Sequence, residues 1–215
     1  MIARGMTAER TSLMSADRLG GNLGDLLDEI ASESLSPAAS SAAALSVALA
    51  AALTAKSARR SQATMESAAG VAAQGDSLRR RALALASENA EAYERAVATL
   101  PNPVAGDGAR KGIADPERDT EIREALAGAN DALSSLLEVA CDVCLLAGLV
   151  AEGGEPGARA DAAVAATQAE AGARAAVHLI EINLLSSGAE DVKAEARDAL
   201  AIASEASGRA LAAGS

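Results

Sequence analysis

Apolar positions recur at three- and four-residue intervals along most of the chain, which is the spacing of amphipathic helices. Behind Asn22, a suitable cap, Leu23, Leu26, Leu27 and Ile30 form one short stripe with Asp25 in its first turn, so a helix is expected over 22–33. Ser36 and Pro37 read as the cap and first position of a second helix, whose sequence carries no charge from Ser34 until Lys56, Arg59 and Arg60. From about 75 to 100 a third stripe runs through Leu78, Ala82, Leu85, Asn89, Ala92, Ala96 and Leu100, with Asn89 as its one amide. The run from Pro101, "PNPVAGDGARKGIADPE", is the one long loop expected.

Asp115, Pro116 and Glu117 restart a helix, and its stripe continues through Ile122, Leu126, Ala129, Leu133, Leu136, Ala140, Val143 and Ala147 to a stop at "EGGEPG" near residue 152. The next helix, 157–186, is expected to bury Val164, Gln168, Ala171, Ala175, His178 or Leu179, and Ile182. A capping-box spacing from Ser187 to Glu190 opens the last helix. The pattern predicts an all-α helical bundle of five to six helices. It forms one domain over 22–213, behind an N-terminal extension, 1–21, expected to lack fixed structure.

Composition sharpens this picture. Half of the 215 residues are hydrophobic, yet there is no Phe or Trp and only one Tyr. A core must then be built from Ala, Leu, Val and Ile. Alanine favours helix and lets helices approach closely, whereas strands draw on β-branched and aromatic residues.

The net charge of -11 argues against nucleic acid and anionic membrane as main partners, since both require clustered Lys and Arg. The apolar stretch from Ser34 to Ala55 is long enough to span a bilayer, but Ser34, Ser36, Ser40, Ser41, Ser46 and Thr54 interrupt it, and alanine gains little from lipid. A helix buried by protein is the expectation. The first twenty residues lack an apolar signal core, so a cytoplasmic location is expected.

Four features invite chemistry. Cys141 and Cys144 match C-x-x-C, but they lie mid-helix without a second ligand pair, which points to core filling rather than a redox or zinc site. His178, the only histidine, reads as a hydrogen-bonded core residue, since no Ser or Cys motif accompanies it. The run Arg79, Arg80, Arg81 reads as a solvated helix edge. Asp161 falls in the first turns of its helix; facing inward, it would have a raised pKa and suit proton transfer, whereas solvated it would only stabilise the helix start.

The segments "LLDEIASESLSPAASSAAALSVALAAAL", "NAEAYERAV", "DPERDTEIREALAGANDAL" and "GARADAAVAATQAEAGARAAVHLIEINL", in this order and spacing, resemble the cyclodeaminase/cyclohydrolase family. That family comprises the C-terminal domain of formiminotransferase-cyclodeaminase and the stand-alone methenyltetrahydrofolate cyclohydrolases. The resemblance covers nearly all of 22–210. It implies a helical-bundle subunit that forms a homodimer and takes a tetrahydrofolate derivative as substrate, with no metal. The reaction would eliminate ammonia from a formimino group or hydrate a methenyl bridge.

This chain departs from the family pattern at informative places. Where the family has a proline, three glycines and a serine, the chain has Pro37, Ala38, Ala39, Ser40 and Ser41, so methyl groups fill a segment where glycine would let a flat ligand approach. An acidic family position is Asn89, and a basic one near the C-terminus is Glu181, while Asn183 is retained. The resemblance therefore implies Asp161 as the remaining acid/base candidate and Pro37, Ala38, Ala39, Ser40, Ser41, Asn89 and Asn183 as ligand-binding candidates. Two functions follow: a divergent folate-dependent cyclohydrolase or cyclodeaminase, or a degenerate relative that kept the bundle as a non-enzymatic binding or structural module.

Overall fold

The structure is a computed structural model that describes residues 23–33, 39–99, 116–184 and 189–214, with the side chains at 23, 89, 92–99 and 116–127 left out. Among the described residues the elements are six helices: α1 (Leu23–Ile30), α2 (Ala39–Arg60), α3 (Ala68–Thr99), α4 (Pro116–Gly153), α5 (Pro156–Asn183) and α6 (Glu190–Ala213). No strand occurs among them, so the all-α bundle expected from the pattern is the fold.

Helices α2, α3, α4 and α5 form a four-helix core in which consecutive helices run antiparallel, α2 also packs on α5, and α6 lies along α4 and α5. Ser41 bonds Ala86 while Arg59 pairs with Asp76, which sets α3 antiparallel to α2. Cys144 Sγ reaches Ala166 O at 3.5 Å and Asn130 meets Asn183, which sets α5 antiparallel to α4. Cys141 Sγ reaches Ala199 O at 3.3 Å and Gly148 lies against Ala206, so α6 runs parallel to α4.

Alanine makes the contacts. Ala44, Ala50, Ala51, Ala55 and Ala58 on α2 and Ala162, Ala165, Ala166, Ala169, Ala173 and Ala176 on α5 are fully buried, around larger residues such as Val47, Leu136, Val143 and Ile180. Two glycines carry the close approach further. A Cβ at Gly75 would lie 3.1 Å from Ala51 O and from Ala55 Cβ, and one at Gly172 would land on Val47 Cγ2. Small residues at facing positions let the backbones come together, and dispersion over many close contacts then replaces the bulk that aromatic residues would supply.

Several expectations change. Helix α3 starts at Ala68 rather than near 75, because Gly75 is a packing residue inside the helix and not its boundary. The N-cap of α6 is Ala189, without a side-chain cap bond, and the expected cap Ser187 lies outside the described residues. The loop over 101–115 also lies outside them.

The largest correction concerns α5. Its expected inner face is the outer one: Val164 is 49% exposed, Ile182 is 46% exposed, and Gln168, Ala171 and His178 are exposed too. The buried face is instead the alanine and glycine row that includes Ala162, Ala169, Gly172, Ala176 and Ile180. Close packing selects small residues here, so side-chain size does not mark the core. His178 is accordingly a surface residue and not a core histidine.

Two segments, Ala39–Arg60 and Gly128–Gly153, are long and apolar enough to cross a membrane by length and composition. Both pack in the helical core, and on α2 Thr54 Oγ1 donates to Ala50 O at 2.9 Å.

Candidate ligand site

The antiparallel order brings the start of α2, residues 86–90 of α3, residue 130 of α4 and the end of α5 to one end of the bundle. The start of α6 reaches the same end, since Arg197 pairs with Glu181. Most ligand-binding candidates gather there.

At the start of α2, Ala39 is exposed while Ser40 and Ser41 are buried. Ser41 Oγ donates to Ala86 O at 3.2 Å, which ties the start of α2 to α3. Asn89 follows one turn after Ala86 on α3, and its side chain lies outside the described atoms. Pro37 and Ala38 also lie outside the described residues.

Asn183, the last residue of α5, is half-buried, and its Nδ2 donates to Asn130 Oδ1 at 3.0 Å. Asn130 is only 8% exposed. The sequence reading passed over it, although its spacing from Leu133 and Leu137 puts it on the buried face of α4, where an amide is costly without a partner.

Two cations stand on α6 at this end. Lys193 is only 7% exposed and its Nζ lies 2.8 Å from Glu190 Oε1. Arg197 lies 2.6 Å from Glu181, so the acid that replaces a basic family position is neutralised by its neighbour. The exposed Glu190 carboxyl is held below its ordinary value by its hydrogen bond to Lys193.

Asp161 stands apart from these residues. Its Oδ2 is 2.8 Å from Lys56 Nζ and 3.9 Å from Arg60, at the C-terminal end of α2. Lys56 is fifteen residues after Ser41, which at 1.5 Å per residue is about 22 Å along the helix. The hydrogen bond from Lys56 holds the Asp161 carboxyl below its ordinary value, with the Lys56 and Arg60 charges acting in the same direction. The environment is therefore the opposite of the apolar one that would raise its pKa. Next to it, Ser61 Oγ accepts from the Glu155 N–H at 3.0 Å and donates to Ser57 O at 2.9 Å, joining the ends of α2 and α5.

The thiols fill the core. Cys144 is buried and Cys141 half-buried, and loss of water around them pushes their pKa values up to about 12 and about 11. Among the described residues no three His, Cys, Asp or Glu side chains group as a metal ion would require.

The family model for Formiminotransferase-cyclodeaminase matches residues 22–201, and the chain belongs to that family. A solved structure of formiminotetrahydrofolate cyclodeaminase from Thermotoga maritima is similar in fold, with a TM-score of 0.75 at 19% sequence identity, covering 93% of this chain and 97% of that one. No curated protein matches the chain.

Proposed function

We propose that this domain binds a tetrahydrofolate carrying a one-carbon group at the end of the bundle where α2 begins and α5 finishes. The observation that carries this reading is the convergence of Ser41 and the Asn183–Asn130 pair on one end of a cyclodeaminase-family bundle. Hydroxyls and carboxamides supply the donors and acceptors that the edge of a flat pterin requires. Lys193 and Arg197 stand at the same end, where a ligand's anionic tail could compete with Glu190 and Glu181 for them.

In the enzymatic form of this reading, the domain hydrates a methenyl bridge or eliminates ammonia from a formimino group. Either reaction needs groups that move protons at an amidine carbon. Asp161, the acid/base candidate that the resemblance implies, lies with Lys56 at the other end of α2, away from this site. A non-enzymatic binding module is the second reading, favoured by the engagement of Asp161 with Lys56 at the far end of α2. The homodimer implied by the resemblance belongs to the proposal as well, and the outward Leu49, 61% exposed, with Val164 and Ile182, offers apolar surface for it.

The test is the absorbance decay of 5,10-methenyltetrahydrofolate with and without protein, together with calorimetric titration of 5-formyltetrahydrofolate. Saturable binding with faster decay supports the enzyme. Binding without acceleration supports the binding module, and the absence of both overturns the folate reading.

A further inference from the structure

The bond between Asn183 and Asn130 sets how the Asn183 carboxamide is turned. Asn183 is the last residue of α5, so only one flank of helix constrains its side chain. Asn130 lies inside a long helix, 8% exposed, on the buried face that also carries Leu133 and Leu137. The Nδ2 group of Asn183 is drawn onto Asn130 Oδ1 at 3.0 Å. A carboxamide carries its oxygen opposite its NH2 group, so this bond turns Asn183 Oδ1 away from Asn130.

We propose that Asn130 is a positioning residue for the ligand: by accepting from Asn183 Nδ2, it presents Asn183 Oδ1 as an acceptor for an N–H of the bound molecule. The inference rests on the folate reading above and adds to it a positioning residue and the polarity of one contact. The ligand must offer a ring N–H or amino group at that edge, as a flat nitrogen heterocycle such as a reduced pterin does. An analogue offering only acceptors there would meet oxygen with oxygen.

Burial makes a positioning role separable from a stabilising one. Leucine is the residue that the face of α4 shared with Leu133 and Leu137 otherwise favours, and a partly exposed Asn183 left without Asn130 can turn to water. A purely structural amide would be missed by the fold when removed. A positioning amide would be missed by the ligand.

The experiment is calorimetric titration of the full chain with 5-formyltetrahydrofolate for the wild type, Asn130→Leu and Asn130→Asp, with thermal unfolding of all three. An ionised Asp keeps the acceptor and has no donor, so it holds Asn183 in the same orientation. Asn130→Leu is expected to weaken binding by about tenfold, the scale of one lost hydrogen bond, without lowering the melting temperature. Asn130→Asp is expected to stay within about threefold of wild type on the same scale. Unchanged affinity in Asn130→Leu, or equal losses in both variants, overturns the positioning role while leaving the folate reading in place. Absence of binding in the wild type overturns that reading, and this one with it.

Discussion

Lys56 Nζ lies 2.8 Å from Asp161 Oδ2, so the last turns of α2 are tied to the first turns of α5 by an ion pair on the surface. The same pair holds Asp161 ionised. Because its pKa is lowered on folding, Asp161 contributes stability above its unfolded value of about 3.9, and that contribution is lost as pH falls through the folded value. At neutral pH, Asp161→Asn is expected to cost about 0–1 kcal/mol, as for other exposed pairs. Thermal unfolding should show the gap between wild type and Asp161→Asn closing below about pH 4. A gap that persists undiminished into strong acid would show that the pair is not its source.

Packing at Gly172 is expected to admit no side chain. Alanine there would press its methyl onto Val47 Cγ2, and Val47 is fully buried. Urea unfolding should show a loss of about 1–3 kcal/mol for Gly172→Ala, the range for overpacked cores. Gly148→Ala is the control, since its Cβ would meet only Ala206 O at an ordinary 3.7 Å. Helix propensity should make that variant neutral or more stable by about 0.5–1 kcal/mol.

The two thiols are expected to be inert in the folded protein. With pKa values of about 11 and about 12, Cys141 and Cys144 carry almost no thiolate near pH 8, and the thiolate is the reactive form. A chromogenic disulfide reagent should label them slowly in buffer and rapidly in denaturant. Fast labelling of the native protein would contradict their place in the core.

Helix number and order were legible because caps, prolines and apolar spacing agree at most boundaries, as at Pro116 and at "EGGEPG". The inner face of α5 was not. Alanine occupies every side of that helix, and the larger Val164 and Ile182 mimic a core stripe while facing outward. The site was legible in part. Ser41 and Asn183, both proposed for the ligand, come to one end of the bundle, whereas Asp161 is placed at the other end by a register that only the fold reveals. Asn130 was hidden because its meaning comes from a partner 53 residues away.

The segment at the start of α2 can be tested by restoring glycine. Replacing Ala38, Ala39 and Ser40 with glycine is expected to tighten binding of 5-formyltetrahydrofolate by removing side-chain atoms beside the ligand. The same change should cost about 1 kcal/mol of stability for each replaced residue held in helix. Titration and unfolding of the triple variant measure both effects. Unimproved affinity would show that these side chains do not obstruct the site.

The location of the site is tested most directly by calorimetric titration of 5-formyltetrahydrofolate into wild type, Asn183→Leu and Asp161→Asn. Saturable binding to the wild type is expected, weakened about tenfold or more in Asn183→Leu and unchanged in Asp161→Asn. Binding that survives in Asn183→Leu but is lost in Asp161→Asn would put the ligand at the opposite end of the bundle and contradict the account.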